Sequence, residues 1–253
     1  MAKTVAIIQA RMDSRRLPGK VLADIYGKPM LARVVERAQR AQLVDEVIVA
    51  TTDRLADAPI AAWCVESGVP CYRASGDPND VLARYYEAAK WRQADVIVRI
   101  TADCPLLDPM VVDMAIITRW GHDADYCSNV DPPTFPDGLD VEAFTFAALE
   151  KAHRAATLLS DREHVTPLIR RTAFTHRRIF SRDSALVYER WTVDEAADLE
   201  FVRAVYAELG EAPFGMVEVL ALLERRPELR QINAGILRNE GYELSLKEDK
   251  THD

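Results

Sequence analysis

Short apolar runs alternate with amphipathic segments along the first half of the chain. Three β-branched runs, at 4–9, 46–51 and 95–101, are almost continuously hydrophobic, which is typical of strands buried on both faces of a parallel sheet. The intervening segments place apolar residues at helical spacing and charged residues off that stripe. Helices are therefore predicted over 30–42, 55–66 and 81–93. This alternation predicts a doubly wound α/β sheet with helices on both faces, in which ligands bind beyond the carboxyl ends of the strands.

The pattern changes from about residue 125. Short strands are predicted at 125–129 and 139–144, on either side of a loop rich in proline and glycine. Further helices are predicted over 146–156, 162–171, 195–209 and 214–224. We interpret 125–145 as an insertion that contacts an acceptor substrate or mediates dimerisation. Since no linker or repeat separates a second domain, residues 1–244 are expected to form one domain, with a frayed tail at 245–253.

Composition and charge narrow the class of protein. The chain has 253 residues, of which 49% are hydrophobic and 28% charged, as in an ordinary globular protein. Its 40 acidic and 32 basic side chains give a net charge of -8, which argues against a nucleic-acid coat protein because such proteins need a basic surface. Neither a secretory signal nor an apolar stretch of membrane length is evident, and the four cysteines form no C-x-x-C pair. We therefore expect a cytoplasmic protein with reduced thiols and no membrane partner.

A basic loop follows the first predicted strand. Three arginines and a lysine lie within ten residues, among them Arg11, Arg16 and Lys20, and they would converge where a ligand binds. Such a cluster suits an anion with several charges, such as a triphosphate; a merely solvated charged loop is the alternative. The segment is not a Walker A loop, because Gly27-Lys28 is followed by Pro29 and not by Ser or Thr.

Two aspartates further along the chain also follow extended segments. Asp103 directly follows the third predicted strand, where a carboxylate can bind Mg²⁺ together with nucleotide oxygens. A helix cap is the alternative for Asp103, but Asp108 before Pro109 fits the cap of the next helix better. Asp194 follows an extended segment and opens a helix, so it could cap that helix, supply a second carboxylate for the metal, or do both.

Four ordered motifs resemble those of the cytidylyltransferases that make CMP-activated acidic sugars, a group that includes the CMP-3-deoxy-manno-octulosonate and CMP-acylneuraminate synthetases. The motifs are QARMDSRRLPGK at 9–20, GKPM at 27–30, ITADCP at 100–105 and VDEAADL at 193–199. FPDGLDVE at 135–142 and SDREHVTP at 160–167 are most similar to the spore coat polysaccharide biosynthesis protein F branch of this group. The resemblance extends from residue 5 to about residue 244.

The resemblance implies a role for individual residues at the nucleotide. Arg11, Arg16 and Lys20 match the basic residues that bind the triphosphate, while Asp103 and Asp194 match the magnesium carboxylates. The nucleoside would contact the following residues: Gln9, Ala10, Ser75, Gly76, Asp80 and Thr101. This chain has Thr-Ala-Asp at 101–103 where the synthetases often have Gln-Gly-Asp, which puts base contacts from the two preceding positions in doubt but not the carboxylate.

The acceptor side is predicted from two charged segments. Arg162 and His164 offer a cation and a polar ring for an acidic or hydroxyl-rich acceptor, although a helix with one charged face would have a similar sequence. Asp137, Asp140 and Glu142 follow a Pro-containing turn and would contact hydroxyl groups of the acceptor; an exposed hairpin is the alternative.

The resemblance implies a Rossmann-like, GT-A-like nucleotidyltransferase fold with a mixed, mostly parallel sheet, and a homodimer. The implied reaction is attack by a hydroxyl of a sugar acid on the α-phosphorus of CTP, assisted by Mg²⁺ and with pyrophosphate leaving, in surface polysaccharide biosynthesis. Two other functions stay open. A nucleotide-sugar glycosyltransferase would have a similar domain, but the Asp103 segment lacks the Asp-x-Asp pattern. A non-catalytic nucleotide-binding scaffold is the third possibility.

Overall fold

The computed structural model describes residues 2–172, 175–181 and 183–236, together with Arg238, Leu246 and Asp249. The strands are β1 (Thr4–Gln9), β2 (Asp24–Ile25), β3 (Lys28–Pro29), β4 (Glu46–Thr52), β5 (Cys71–Ala74), β6 (Val96–Thr101), β7 (Tyr126–Ser128), β8 (Glu142–Thr145) and β9 (His176–Arg178). The helices are α1 (Met30–Ala38), α2 (Ala58–Glu66), α3 (Val81–Trp91), α4 (Pro109–Gly121), α5 (Phe146–Ala155), α6 (Leu159–His164), α7 (Pro167–Arg171), α8 (Ala196–Leu209) and α9 (Met216–Arg225).

Seven of the strands form one sheet in the order β5-β4-β1-β6-β8-β7-β9. Strand β8 runs antiparallel to β6 and β7, whereas the remaining pairings in this sheet are parallel. Strands β2 and β3 form a separate antiparallel hairpin. The predicted mixed, mostly parallel α/β sheet is therefore confirmed.

Alternate residues of β1 supply two apolar cores on opposite faces of the sheet. Ala6 and Ile8 pack with α1, α2, α4, α8 and α9 on one face, while Val5 and Ile7 pack with α3, α5 and α7 on the other. All four side chains are fully buried. Because both faces are covered, the central strand has to be apolar at successive positions, which explains the continuous runs in the sequence.

The register of the central strands brings the ends of β1 and β6 together. Gln9 of β1 lies opposite Thr101 of β6, and on its other side opposite Ala50 of β4. The loops that follow β1 and β6 therefore leave the sheet side by side at its carboxyl edge. This is the position at which doubly wound sheets bind ligands.

The segment 125–145, which we interpret as an insertion for acceptor contact or dimerisation, is integrated into the main sheet. It contributes β7 and β8 to the main sheet, and within it only Asp131 and Pro132 are exposed. The connecting loop folds back over the carboxyl edge of the sheet and is buried in its own chain.

Several helix and strand boundaries differ from the predictions. The helix predicted over 162–171 is two helices, α6 and α7, because Val165 adopts a left-handed φ of 71° and Pro167 begins the next helix. Strands β5 and β9 are only four and three residues long, and β9 is entirely polar, so neither sequence carries a clear strand pattern. The tail predicted to be frayed lies outside the described residues apart from Leu246 and Asp249.

None of the helices in the described ranges has the length and hydrophobicity needed to span a bilayer.

Candidate active site

Three chain segments meet at the carboxyl edge of the sheet. The loop after β1 carries Lys20, the loop after β6 carries Asp103, and an extended segment before α8 carries Asp194. The last two segments are joined by the backbone, because the N–H of Val193 donates to the carbonyl of Asp103 at 2.8 Å. This contact holds the two aspartates on either side of Lys20.

Lys20 forms the centre of the site. Its ammonium lies 3.1 Å from Asp103 Oδ2, 2.9 Å from Asp194 Oδ1 and 2.7 Å from the carbonyl oxygen of Val193. Burial by itself lowers the pKa of Lys20, but the two carboxylates outweigh it and raise that pKa above its usual value. Burial likewise opposes ionisation of Asp103, yet the Lys20 charge holds the pKa of that carboxyl below its usual value.

The cap of α8 is made without Asp194. Asp198, fully buried in the first turn, accepts the N–H groups of Asp194 and Glu195 at 3.0 and 2.9 Å. These bonds satisfy donors at the helix start and fix the turn that carries Asp194. Asp194 is thereby turned toward Lys20 and Arg16, whose guanidinium lies 2.9 Å from Asp194 Oδ2.

Two cavities meet at these carboxylates. The first has a volume of about 600 Å³ and the second of about 560 Å³. Both are lined by the same six residues at their junction: Gln9, Arg16, Thr101, Asp103, His164 and Asp194. The side-chain oxygen of Gln9 is buried at this junction and accepts no hydrogen bond from the described residues. The geometry therefore offers room for two ligands that approach each other at Asp103 and Asp194.

The first cavity is basic, as the sequence predicts for a polyanion. Arg11, Arg16 and Lys20 all line it, together with Ala10 of the same loop. Arg11 donates to the carbonyl of Pro78 at 2.8 Å, which joins the β1 loop to the segment before α3. A triphosphate in this cavity would meet guanidinium and ammonium groups on one wall.

Arg84 is a basic residue of this cavity that the sequence analysis missed. It lies on the buried face of α3, is only 2% exposed, and donates to the carbonyl of Pro78 at 2.6 Å. Burial and the nearby charge of Arg11 lower the pKa of Arg84 to about 10. The sequence does carry a signal for Arg84. It lies three positions after Val81 on the apolar stripe of a predicted helix, where a charged side chain is unusual.

The segment predicted to contact the nucleotide lies partly in the first cavity and is partly exposed. Ser75 and Gly76 are exposed, whereas Pro78 and Asn79 line the first cavity. Asp80 caps α3 by accepting the N–H of Ala83 at 2.9 Å. Its carboxylate is thus directed toward the start of the helix, because four unpaired N–H groups there need acceptors.

Arg162, predicted to contact the acceptor, is paired within the chain and is not among the residues that line the two cavities. Its guanidinium donates to the carboxylate of Asp80 and to the carbonyl of His153, the latter at 2.9 Å. Helix α6 packs against α3, and this packing directs Arg162 behind the cavity walls. His164, two residues later on α6, lines both cavities.

The three acidic residues predicted for the acceptor all line the second cavity. Glu142 is almost fully buried and accepts hydrogen bonds from Arg99 at 2.9 Å and from the hydroxyl of Tyr126 at 3.1 Å. Burial, opposed by the charge of Arg238, raises the pKa of Asp140 to about 7. Burial likewise raises the pKa of Asp137 above its usual value. This wall offers carboxyl oxygens to hydroxyl or amino groups.

Asp137 is positioned by a close backbone contact with the Asp194 segment. Its N–H donates to the carbonyl of Glu189 at 2.9 Å, and its carbonyl accepts the N–H of Trp191 at 2.7 Å. Gly138 permits this approach: it has a φ of +107°, and a Cβ there would lie 2.6 Å from the backbone nitrogen of Thr192. Arg190, which the sequence analysis missed, donates to Asp137 at 3.0 Å.

The donor set at the junction fits a magnesium ion. Mg²⁺ is commonly held by one or two carboxylates together with phosphate oxygens and water. Asp103 and Asp194 supply two such carboxylates, and the ammonium of Lys20 between them shows that this point favours positive charge. Within the described ranges no group of three or more His, Cys, Asp or Glu residues forms a metal site made by protein ligands alone.

Comparisons with known proteins agree with this geometry. The spore coat polysaccharide biosynthesis protein SpsF of Bacillus subtilis is 32% identical over 232 residues, or 88% of this chain and 94% of that protein. A 3-deoxy-manno-octulosonate cytidylyltransferase of Trichlorobacter lovleyi is 44% identical over 118 residues, which is 47% of this chain and 45% of that enzyme.

A cytidylyltransferase from Leptospira borgpetersenii has a solved structure that superimposes with a TM-score of 0.87, at 29% identity, covering 94% of this chain and 100% of that one. The family model described as cytidylyltransferase matches residues 5–210. Most of the chain, including the basic loop and both aspartates of the site, lies within that match. The chain therefore belongs to the cytidylyltransferase family and is a CTP-dependent nucleotidyltransferase.

Proposed function

We propose that this enzyme transfers CMP from CTP to a hydroxyl group of an acidic or otherwise unusual sugar, such as a nonulosonic acid, and releases pyrophosphate. We further propose that it does so with Mg²⁺, as a homodimer, in the biosynthesis of a surface polysaccharide. The observation that carries the proposal is the position of Lys20, Asp103 and Asp194 where the basic first cavity meets the second cavity, which is lined by both carboxylates and arginines.

The basic cavity is assigned to CTP. Arg11, Arg16 and Lys20 would bind the triphosphate and neutralise the charge that develops on the departing pyrophosphate. In the structure Arg11 pairs with Asn79, Arg16 with Asp194 and Lys20 with Asp103. Phosphate oxygens of CTP would therefore take the place of acceptors that these cations already have. The buried oxygen of Gln9 is available to a donor on the nucleotide or on the acceptor.

Asp103 and Asp194 would hold the magnesium ion. When bound, Mg²⁺ supplies charge neutralisation at the phosphate oxygens of the nucleotide. In the structure the three N–H groups of Lys20 are taken by Asp103, Asp194 and the carbonyl of Val193, so a phosphate oxygen of the nucleotide would take the place of one of these acceptors. No covalent intermediate with the protein is needed, because the acceptor hydroxyl displaces pyrophosphate directly.

The second cavity is assigned to the sugar. Asp137 and Asp140 would accept hydrogen bonds from its hydroxyl groups, and Glu142 contributes to the same wall while paired with Arg99. Arg170 on α7 lines the far side and offers a cation to a carboxylate of the acceptor. The names of the relatives, a spore coat polysaccharide protein and a 3-deoxy-manno-octulosonate cytidylyltransferase, support a sugar of this class.

Release of pyrophosphate tests the proposal. Purified enzyme with CTP and Mg²⁺ is incubated with a panel of sugar acids, including 3-deoxy-manno-octulosonate and nonulosonic acids, and with neutral hexoses as comparison. We expect turnover with at least one acid, loss of turnover in EDTA, and loss of Mg²⁺-dependent turnover in Asp103→Asn. Asp123→Asn, which removes an exposed carboxylate from a turn away from both cavities, is the matched control and should retain full activity. The proposal would be overturned if neutral hexoses but none of the sugar acids supported turnover, or if Asp103→Asn kept the wild-type rate.

A further inference from the structure

The exposed face of α4 consists of large apolar side chains. Met110, Met114, Ile117 and Trp120 follow one another at spacings of four, three and three residues, which aligns them along one side of the helix. Their exposed fractions are 72%, 40%, 56% and 66%. The opposite side of α4 is buried in the core. A helix that is apolar on both sides is normally covered on both sides.

The charged residues of α4 are used elsewhere in the chain. The carboxylate of Asp113 accepts the N–H groups of Gln42 and Leu43 at 3.0 and 2.9 Å. Arg119 is buried and donates to the carbonyl of Ala124 at 2.9 Å. Every exposed position between Pro109 and Gly121 is therefore apolar or glycine.

We propose that this face of α4, defined by Met110, Met114, Ile117 and Trp120, is the surface on which a second copy of the chain docks. The proposal rests on the homodimer named above and is independent of the reaction that the dimer performs. Two copies of α4 would pack antiparallel about a twofold axis near the middle of the helix.

The spacing of the four residues favours a copy of the same chain. In an antiparallel pair centred on residue 115, Met110 faces Trp120 of the partner subunit, and Met114 lies within one residue of facing Ile117 of the partner subunit. Each large side chain thus meets another large side chain, and no like charges meet across the axis. Methionine against tryptophan is a favourable pair because the thioether contacts the aromatic ring.

The exposed area has the size of an interface core. Taking about 200 Å² for each fully exposed side chain of this size, the face presents roughly 500 Å² of accessible surface. A standard-size interface takes about 800 Å² from each partner, with a polar rim around an apolar centre. The α4 face would supply that centre. Segment 125–145, by contrast, has only Asp131 and Pro132 exposed.

Sedimentation equilibrium of the full-length protein tests the surface. Wild type is expected to have about twice the 28.4 kDa mass of one chain, and Ile117→Lys, which places two ammonium groups near the axis, should raise the dissociation constant at least about 100-fold. Val65→Lys is the matched control, because Val65 is an isolated apolar residue of α2 that is 82% exposed. A monomeric wild type, or a dimer that persists in Ile117→Lys, would overturn the proposal.

A cross-link tests the antiparallel orientation. Positions 110 and 120 are about 15 Å apart along one helix, so cysteines at both positions cannot join within one chain. In the double variant Met110→Cys with Trp120→Cys, mild oxidation should give a covalent dimer, whereas Met110→Cys alone should not. A covalent dimer of the single variant at the same rate would contradict the antiparallel arrangement. Pyrophosphate release measured on the same samples separates a failure of this surface from a failure of the proposed reaction.

Discussion

The guanidinium of Arg190 lies 3.0 Å from the carboxylate of Asp137, although the two residues are 53 positions apart in sequence. The same guanidinium donates to Asp198 at 2.9 and 3.0 Å and lies 3.4 Å from Asp194. The buried guanidinium of Arg190 thus connects Asp137 of the second cavity with Asp194 at the junction of the two cavities. We infer that Arg190 is a positioning residue for both.

Arg190→Lys tests this positioning role. Lysine keeps the charge but cannot donate in several fixed directions, so Asp137 and Asp194 would lose their common orientation. We expect kcat to fall about 10- to 100-fold and the Mg²⁺ concentration for half-maximal turnover to rise. Arg230→Lys is the control, since Arg230 pairs with Glu189 and Glu224. A rate that falls only in proportion to the folded fraction, read from thermal unfolding, would indicate a purely structural role.

Arg16→Ala should discriminate between nucleotides. Arg16 lines the first cavity beside Asp194 and is assigned to the departing pyrophosphate. Removing a charged hydrogen bond costs about 1.5–3 kcal/mol, so affinity for CTP should fall about 10- to 100-fold while affinity for CMP changes little. Calorimetric titration of both nucleotides measures the difference, with the exposed Arg40→Ala as control. Equal losses for CTP and CMP would contradict the assignment.

Gly138→Ala should destabilise the protein more than an ordinary glycine substitution. Its Cβ would lie 2.6 Å from Thr192 N and 2.7 Å from Trp191 C, so the Asp137 loop would have to separate from the Asp194 segment. We expect a loss of about 3 kcal/mol in the free energy of unfolding. Gly76→Ala is the matched control: it shares a left-handed φ of +100° but its Cβ would meet no described atom within 4 Å, so about 1 kcal/mol is expected. Urea denaturation that gives equal losses would exclude the close approach as the cause.

His164 should make the fold sensitive to mild acid. Burial and the nearby Arg99 charge lower the pKa of His164 to about 4, against about 6.5 for the unfolded chain. Because the unfolded state binds a proton that the folded state rejects, the contribution of His164 to stability should fall by up to about 3 kcal/mol as the pH decreases from about 6.5 to about 4, while Asp140, with its pKa raised to about 7, contributes in the opposite direction.

His164→Gln should reduce that acid dependence, whereas His122→Gln, at the exposed end of α4, should leave it unchanged. Urea unfolding at several pH values between 4 and 7 makes the comparison. A parallel loss of stability in wild type and His164→Gln would show that other groups cause the acid sensitivity.

Much of the fold was predictable because it depends on local periodicity. The bounds of β1 agree with the prediction to the residue, and Asp108 caps α4 as expected, its carboxylate accepting the N–H of Met110 at 2.8 Å. Strands covered on both faces need successive apolar residues, and helices need a 3.6-residue stripe. Where these rules do not operate, as in the polar edge strand β9, the sequence carried no signal.

The sequence by itself determined that charged loops follow the central strands, since Lys20 and Asp103 each come shortly after a buried apolar run. Only the tertiary structure decided which charges meet. Arg190 reaches Asp137 because the Gly138 turn packs backbone to backbone on the Asp194 segment, and Arg162 turns to Asp80 because α6 packs on α3. Hydrogen bonds between side chains far apart in sequence depend on packing geometry, and local periodicity contains no information about that geometry.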